Sequence, residues 1–116
     1  MSVRSTEPFW WLLFAVGGTV AAFLVPVHIA LGGIALPAGW MREAFAYERV
    51  LALVSHPISR LYLFVMISLP LFHWAHRFRF TLIDLGLKGG RGAVAIACYG
   101  GAVIGAILAA LVLVQL

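Results

Sequence analysis

Charge is what this sequence has least of. Of 116 residues, 10% are charged and 64% hydrophobic, with a mean hydropathy of +1.07. A water-soluble domain of this size covers its surface with roughly 25–35% Lys, Arg, Glu and Asp. The composition therefore excludes one and identifies an integral membrane protein. Cysteine is scarcer still: Cys98 is the single one. That rules out an intrachain disulfide and any zinc or iron–sulfur site ligated by cysteines of this chain alone. The four acidic residues are Glu7, Glu43, Glu48 and Asp84, and none stands inside an apolar span. Proton- or cation-coupled transporters usually need one there, which argues against transport. The net charge of +4 comes mostly from arginines at the ends of apolar runs. No basic cluster has aromatic residues laid out to stack bases, so nucleic acid is not an expected partner. Nothing at the start reads as a cleaved signal, because an acidic residue follows Arg4 and the first apolar run is longer than a signal core.

What the chain does have is three apolar runs, and the middle one organises the rest. Between Arg60 and Arg77 lies a single helix-length run with Pro70, His73 and His76 near its far end. At about 1.5 Å per residue it is long enough for a bilayer core of roughly 30 Å. Helical spacing places Tyr62, Met66, Pro70, His73 and Arg77 on one stripe.

The fold class expected is an all-α integral membrane protein, one transmembrane domain over residues 1–116. Its three spans lie at about 9–36, 58–77 and 93–114, with an interfacial helix at about 41–56. Thr6 is placed to cap the first helix, with Glu7 and Pro8 in its first turn. Phe9, Trp10 and Trp11 stand where indoles favour the headgroup layer. Gly17, Ala21 and Gly32 share a face with Trp10 and His28, and Pro26 implies a kink or a local adjustment in mid-span. Leu36-Pro37-Ala38-Gly39 ends the first span as a turn, and Pro57 should break the interfacial helix from the second. Residues 79–92 read as a loop. Ala97, Gly101, Gly105 and Ala109 form a small-residue ladder on the third span.

Arg77 and Trp11 end and begin antiparallel spans, so they belong at similar depth. An arginine beside an indole suits a lipid-like ligand with a carbonyl head; it equally suits two ordinary interfacial anchors. An unperturbed histidine titrates near neutrality, which makes His76 a candidate proton donor to a reduced ring, and equally a candidate headgroup-facing residue. His28 and His73 raise the question of a haem with two axial imidazoles, but they fall towards opposite ends of their spans.

Several stretches resemble the D subunit of bacterial fumarate reductase. They are Glu7-Pro8-x-x-Trp11, Pro26-Val27, Leu36-Pro37-x-Gly39, Tyr47-Glu48-Arg49-Val50-Leu51-Ala52, Met66-Ile67-x-Leu69-Pro70-Leu71 and His76-Arg77. They keep their order from Glu7 to about Asp84, whereas the third span resembles the family only in length and apolarity. The resemblance implies one of two small three-span anchors that together make a six-helix membrane domain in the cytoplasmic membrane. Such an anchor tethers a flavoprotein and an iron–sulfur subunit and is not catalytic on its own. It implies a menaquinol site bordered by Trp11 and Arg77, with His76 beside them. It also implies no haem, with flavin and iron–sulfur clusters confined to the partner subunits. Phe78-Arg79 departs from the family, which has more histidine after His-Arg. A haem-bearing anchor of succinate dehydrogenase, a small transporter and a purely structural subunit are the alternatives.

Orientation follows from basic residues flanking the spans. Arg4, Arg77, Arg79, Lys88 and Arg91 share one side, against Arg42, Arg49 and Arg60 on the other, which favours a cytoplasmic N-terminus and an outside C-terminus. In a Cys98→Ala background, Ser2→Cys should be shielded from an impermeant thiol reagent applied outside and Leu116→Cys should be labelled. The reverse pattern would refute this orientation.

Overall fold

A computed structural model describes residues 7–116, apart from the side chains of Glu7 and Trp10. The expected Thr6 cap, the basic charge of Arg4 and the facing of Trp10 lie outside the described residues. Every regular element described is helical: α1 (Glu7–His28), a π-helical continuation (Ile29–Ala35), α2 (Tyr47–Ser55), α3 (Pro57–Asp84) and α4 (Arg91–Val114). Three helical segments are long and apolar enough to cross a membrane: Trp11–Ala35, Pro57–Asp84 and Arg91–Val114.

The local chemistry explains where each element stops. Pro26 removes the N–H that would bond the Ala22 carbonyl. Three residues beyond it the backbone takes the wider π winding over Ile29–Ala35, a stretch that contains Gly32 and Gly33. The adjustment expected at Pro26 is thus a change of helix type that leaves the span continuous.

The interfacial helix is shorter than the sequence promises. Residues 36–45 form successive turns, with Gly39 at φ +80° and Met41 at φ +56°. Ala46 is extended at ψ 141°. Neither Met41 nor Ala46 has helical geometry, so the helix starts only at Tyr47 despite helix-forming residues before it.

α3 begins at Pro57, whose missing N–H costs nothing in the first turn. His56 caps it, its Nδ1 accepting from the Ile58 N–H at 3.2 Å. The helix does not end at Arg77. Phe78 to Ile83 contain neither glycine nor proline, so the helix continues to Asp84 and yields only before Gly86, at φ +106°. Its 28 residues measure about 42 Å, against roughly 30 Å of hydrocarbon. Arg79 therefore stands on a helical extension and not in a loop, and the connection to α4 is only residues 85–90.

α3 is the spine of the molecule, with α1 packed on one side of it and α4 on the other. The α4 contact is a cluster of small buried side chains, Ala75, Cys98 and Ala102, flanked by Leu71, Phe72, Val94 and Tyr99. The packed face of α4 thus runs through Cys98, Ala102 and Leu113. The expected ladder divides: Gly105 approaches Leu71, whereas Ala97 and Gly101 face outward. On α1 the stripe divides too. A Cβ on Gly17 would lie 2.5 Å from the Leu69 carbonyl oxygen, and one on Gly18 would lie 2.6 Å from the His73 ring; one on Gly32 would meet nothing within 4 Å. Ser55 Oγ donates to the Leu116 carbonyl at 3.2 Å, which ties the C-terminus to the α2 end of the bundle, opposite the start of α1.

At Gly17 the obstruction is backbone, which cannot rotate away. Gly17→Val should therefore cost about 1–3 kcal/mol through overpacking and lower the Tm of the detergent-solubilised protein by several degrees, while Gly32→Ala should leave it within a degree. Equal effects of the two would show that α1 and α3 do not meet at Gly17.

Candidate functional site

At the end of the bundle that holds the start of α1, the three long helices leave a groove between α1 and α4, with α3 as its floor. It encloses about 1140 Å³. α1 contributes Trp11 and Phe14; α3 contributes Phe72, His76, Arg79 and Phe80; α4 contributes Tyr99. The α3 residues recur at intervals of four, three and one, so one face of one helix supplies them all.

The lining is an aromatic chain. Trp11 and Phe14 have centroids 5.2 Å apart, Phe14 and His76 4.6 Å, and His76 and Phe80 4.8 Å, all tilted pairs. These separations fall within the 4.5–7 Å usual for aromatic pairs. Phe14 also stacks on His73 at 4.4 Å. The groove is not closed by this chain: Trp11 is 62% exposed and Phe80 42%.

Three polar groups interrupt this apolar surface: His76, Tyr99 and Arg79. His76 Nδ1 lies 2.9 Å from the Tyr99 hydroxyl. The bond fixes the imidazole against α4 and leaves Nε2 for another partner. Arg79 lies over two rings, its guanidinium carbon 5.1 Å from the Phe80 centroid and 5.8 Å from that of Tyr99. An aromatic trough with few polar groups can accept a flat, largely apolar ligand that carries one or two oxygens.

Of the residues singled out by sequence, Trp11 and His76 meet in this groove, whereas Arg77 does not line it. Arg77 is exposed, one helical position round from His76, and its carbonyl accepts from Thr81 Oγ1 at 2.8 Å. The stripe expected to gather the chemistry has other work. His73 Nδ1 is 2.8 Å from the Phe14 carbonyl, and a carbonyl only accepts, so the ring donates and closes the α1–α3 contact. Tyr62 pairs with His28 Nε2 at 2.8 Å, at the opposite end of the bundle. His28 and His73 thus lie apart and have separate partners. Among the described residues, no three His, Cys, Asp or Glu side chains converge as a metal-ligand cluster.

Five of these groove residues, Phe14, Phe72, Arg79, Phe80 and Tyr99, are not among those the sequence singles out for the site. For Arg79 a signal exists, since its i+3 spacing from His76 puts it on the same face. Ending α3 at Arg77 hides that signal. Tyr99 gives none, because its pairing with His76 depends on how α4 packs.

A family profile for the D subunit of fumarate reductase matches residues 1–114. The fumarate reductase D subunit of Mycobacterium tuberculosis strain H37Rv is 50% identical over 104 residues, covering 88% of this chain and 82% of the relative. That of Shewanella putrefaciens strain CN-32 is 40% identical over 114 residues, covering 97% and 93%.

Proposed function

This chain belongs to the family of fumarate reductase D subunits, multi-pass membrane components of that complex, and we propose from this premise that it builds part of the site where menaquinol is oxidised. In this reading it tethers the flavoprotein and iron–sulfur subunits to the cytoplasmic face. A second three-span anchor packs beside it to give six helices. The N-terminus is cytoplasmic and the C-terminus outside. Flavin and iron–sulfur clusters belong to the partner subunits, and no haem is bound.

The observation that carries the reading is the groove. Trp11 and His76 are remote in sequence, yet α1 and α3 bring them to one aromatic trough at one end of the bundle. The trough suits a naphthoquinol. Its rings can lie against Trp11 and Phe14, and the isoprenoid tail can remain in lipid. The open side leaves room for the neighbouring subunits to complete the site.

When bound, menaquinol supplies two electrons for fumarate and releases two protons. The chain's own residues bind, orient and handle protons. Trp11 packs against the ring system and limits water. With Nδ1–H donating to the Tyr99 oxygen, His76 presents Nε2 as a proton acceptor. Arg77, exposed beside His76, bounds the site from the side of the soluble subunits and adds positive charge there.

Two activities separate this role from simple anchoring. Fumarate reduction driven by a soluble dye bypasses the membrane subunits, whereas oxidation of a menaquinol analogue does not. In complexes matched for dye-driven activity, Trp11→Ala should slow quinol oxidation about tenfold, equivalent to about 1.4 kcal/mol. Arg77→Leu should slow it on the order of 100-fold, about 2.8 kcal/mol. If quinol oxidation keeps pace with the dye reaction in both variants, the quinol site lies elsewhere.

The haem question has its own measurement. His28 engages Tyr62 at one end of the bundle, while His73 and His76 stand three residues apart on one face of α3 at the other, so this chain does not set two imidazoles on opposite sides of one haem plane. The reduced-minus-oxidised spectrum of the purified complex should be without a b-type band. A clear band would favour a haem-bearing anchor.

A further inference from the structure

The groove holds a cation that neither the family motifs nor the proton chemistry of His76 accounts for. Arg79 is half-buried in the wall of an otherwise apolar trough. No acidic residue lines that trough among the described residues. The Arg79 Nε is buried and has no hydrogen-bond partner. An arginine near a helix end ordinarily extends its head to water or headgroups. Here the guanidinium instead lies against the Phe80 and Tyr99 rings. Rings that hold the face of a guanidinium leave its in-plane N–H donors along the edge. The result is a planar, permanently charged donor, held in position beside Trp11 and His76, whose charge no residue lining the trough balances among the described residues.

We propose that Arg79 is the residue that binds an oxygen of the quinone ring, donating from its edge while the ring system rests on the aromatic wall. The assignment rests on the groove being the quinol site. It differs from the role given to Arg77, which is exposed and does not line the groove. It also explains how the chain manages with Phe78-Arg79 after its His-Arg pair: the arginine at i+3 from His76 is the one on the groove face. Within that face the labour divides. His76 Nε2 takes a proton, Arg79 takes charge density on oxygen, and Tyr99 holds both, through its hydroxyl for one and its ring for the other.

The test compares Arg79→Leu, Arg79→Lys and Trp11→Ala in the complete purified complex, matched for dye-driven fumarate reduction. Binding of radiolabelled menadione, the tail-less naphthoquinone, is measured by equilibrium dialysis alongside KM for a menaquinol analogue. Arg79→Leu should weaken menadione binding and raise KM on the order of tenfold or more, as loss of a charge-assisted hydrogen bond does. Arg79→Lys should recover part of the loss, since it restores the charge without the flat fork. If Trp11→Ala weakens binding and Arg79→Leu does not, the groove stands as the quinol site and the role of Arg79 falls. If neither changes Kd or KM, both readings fall. If Arg79→Leu removes only bound anionic lipid and leaves menadione binding intact, Arg79 is a lipid-phosphate contact and the proposal is overturned. Should Arg79→Leu fail to assemble, Arg79→Gln, which keeps a neutral donor of similar reach, is judged by the same Kd and KM criteria.

Discussion

The close contact of α1 with α3 at Gly17 and Gly18 is the constraint on which the rest depends. Lipid offers helices no hydrophobic reward for association, so they must gain from near approach and from polar groups satisfied across the interface. Both occur here within one turn. The glycines leave room for Leu69 and His73, and His73 then donates to the Phe14 carbonyl. Phe14 is held by the same contact, stacked on the His73 ring on one side and tilted against His76 on the other. The glycines thus seat a histidine, the histidine fixes a phenylalanine, and the phenylalanine forms the wall of the groove.

On the other flank α3 uses a different device. Ala75, Cys98 and Ala102 are small enough to bring α4 near, and the approach places Tyr99 within hydrogen-bond distance of His76. α3 therefore sets two helices at defined positions with residues that have no chemical function, and presents its own polar residues between them. A helix of about 42 Å in a hydrocarbon layer of roughly 30 Å must leave one end outside the core. Arg77, Arg79 and Asp84 occupy one such end. Charged groups and aromatic rings can share it because its environment is the interface and not the bilayer interior.

The membrane class, the three spans and the family are all legible in the sequence, because apolar runs of span length and motifs such as Tyr47-Glu48-Arg49-Val50-Leu51-Ala52 are local signals. The turn at Leu36–Gly39 and the break at Pro57 are legible for the same reason. What is not legible depends on long-range geometry or on conformations that propensity misjudges. The stretch from Met41 to Ala46 is rich in helix formers, yet its two ends have non-helical geometry, so α2 starts late. Charge suggests an end for α3 at Arg77, whereas the backbone has no reason to stop before Gly86. That one boundary hides Arg79. Small residues announce close packing without saying which will be used; Gly17 and Gly105 are, and Gly32 and Gly101 meet nothing.

The central claim is that the trough formed by α1, α3 and α4 holds the quinone ring. Photoaffinity labelling tests it most directly. An azido-naphthoquinone is irradiated with the intact complex in membranes, and the labelled positions are read by mass spectrometry. The account predicts labels on this chain within 11–14, 72–80 and 99–103, competed away by unlabelled menadione. Competable labels confined to residues 56–64 and 110–114, at the opposite end of the bundle, or found only on other subunits, would contradict it.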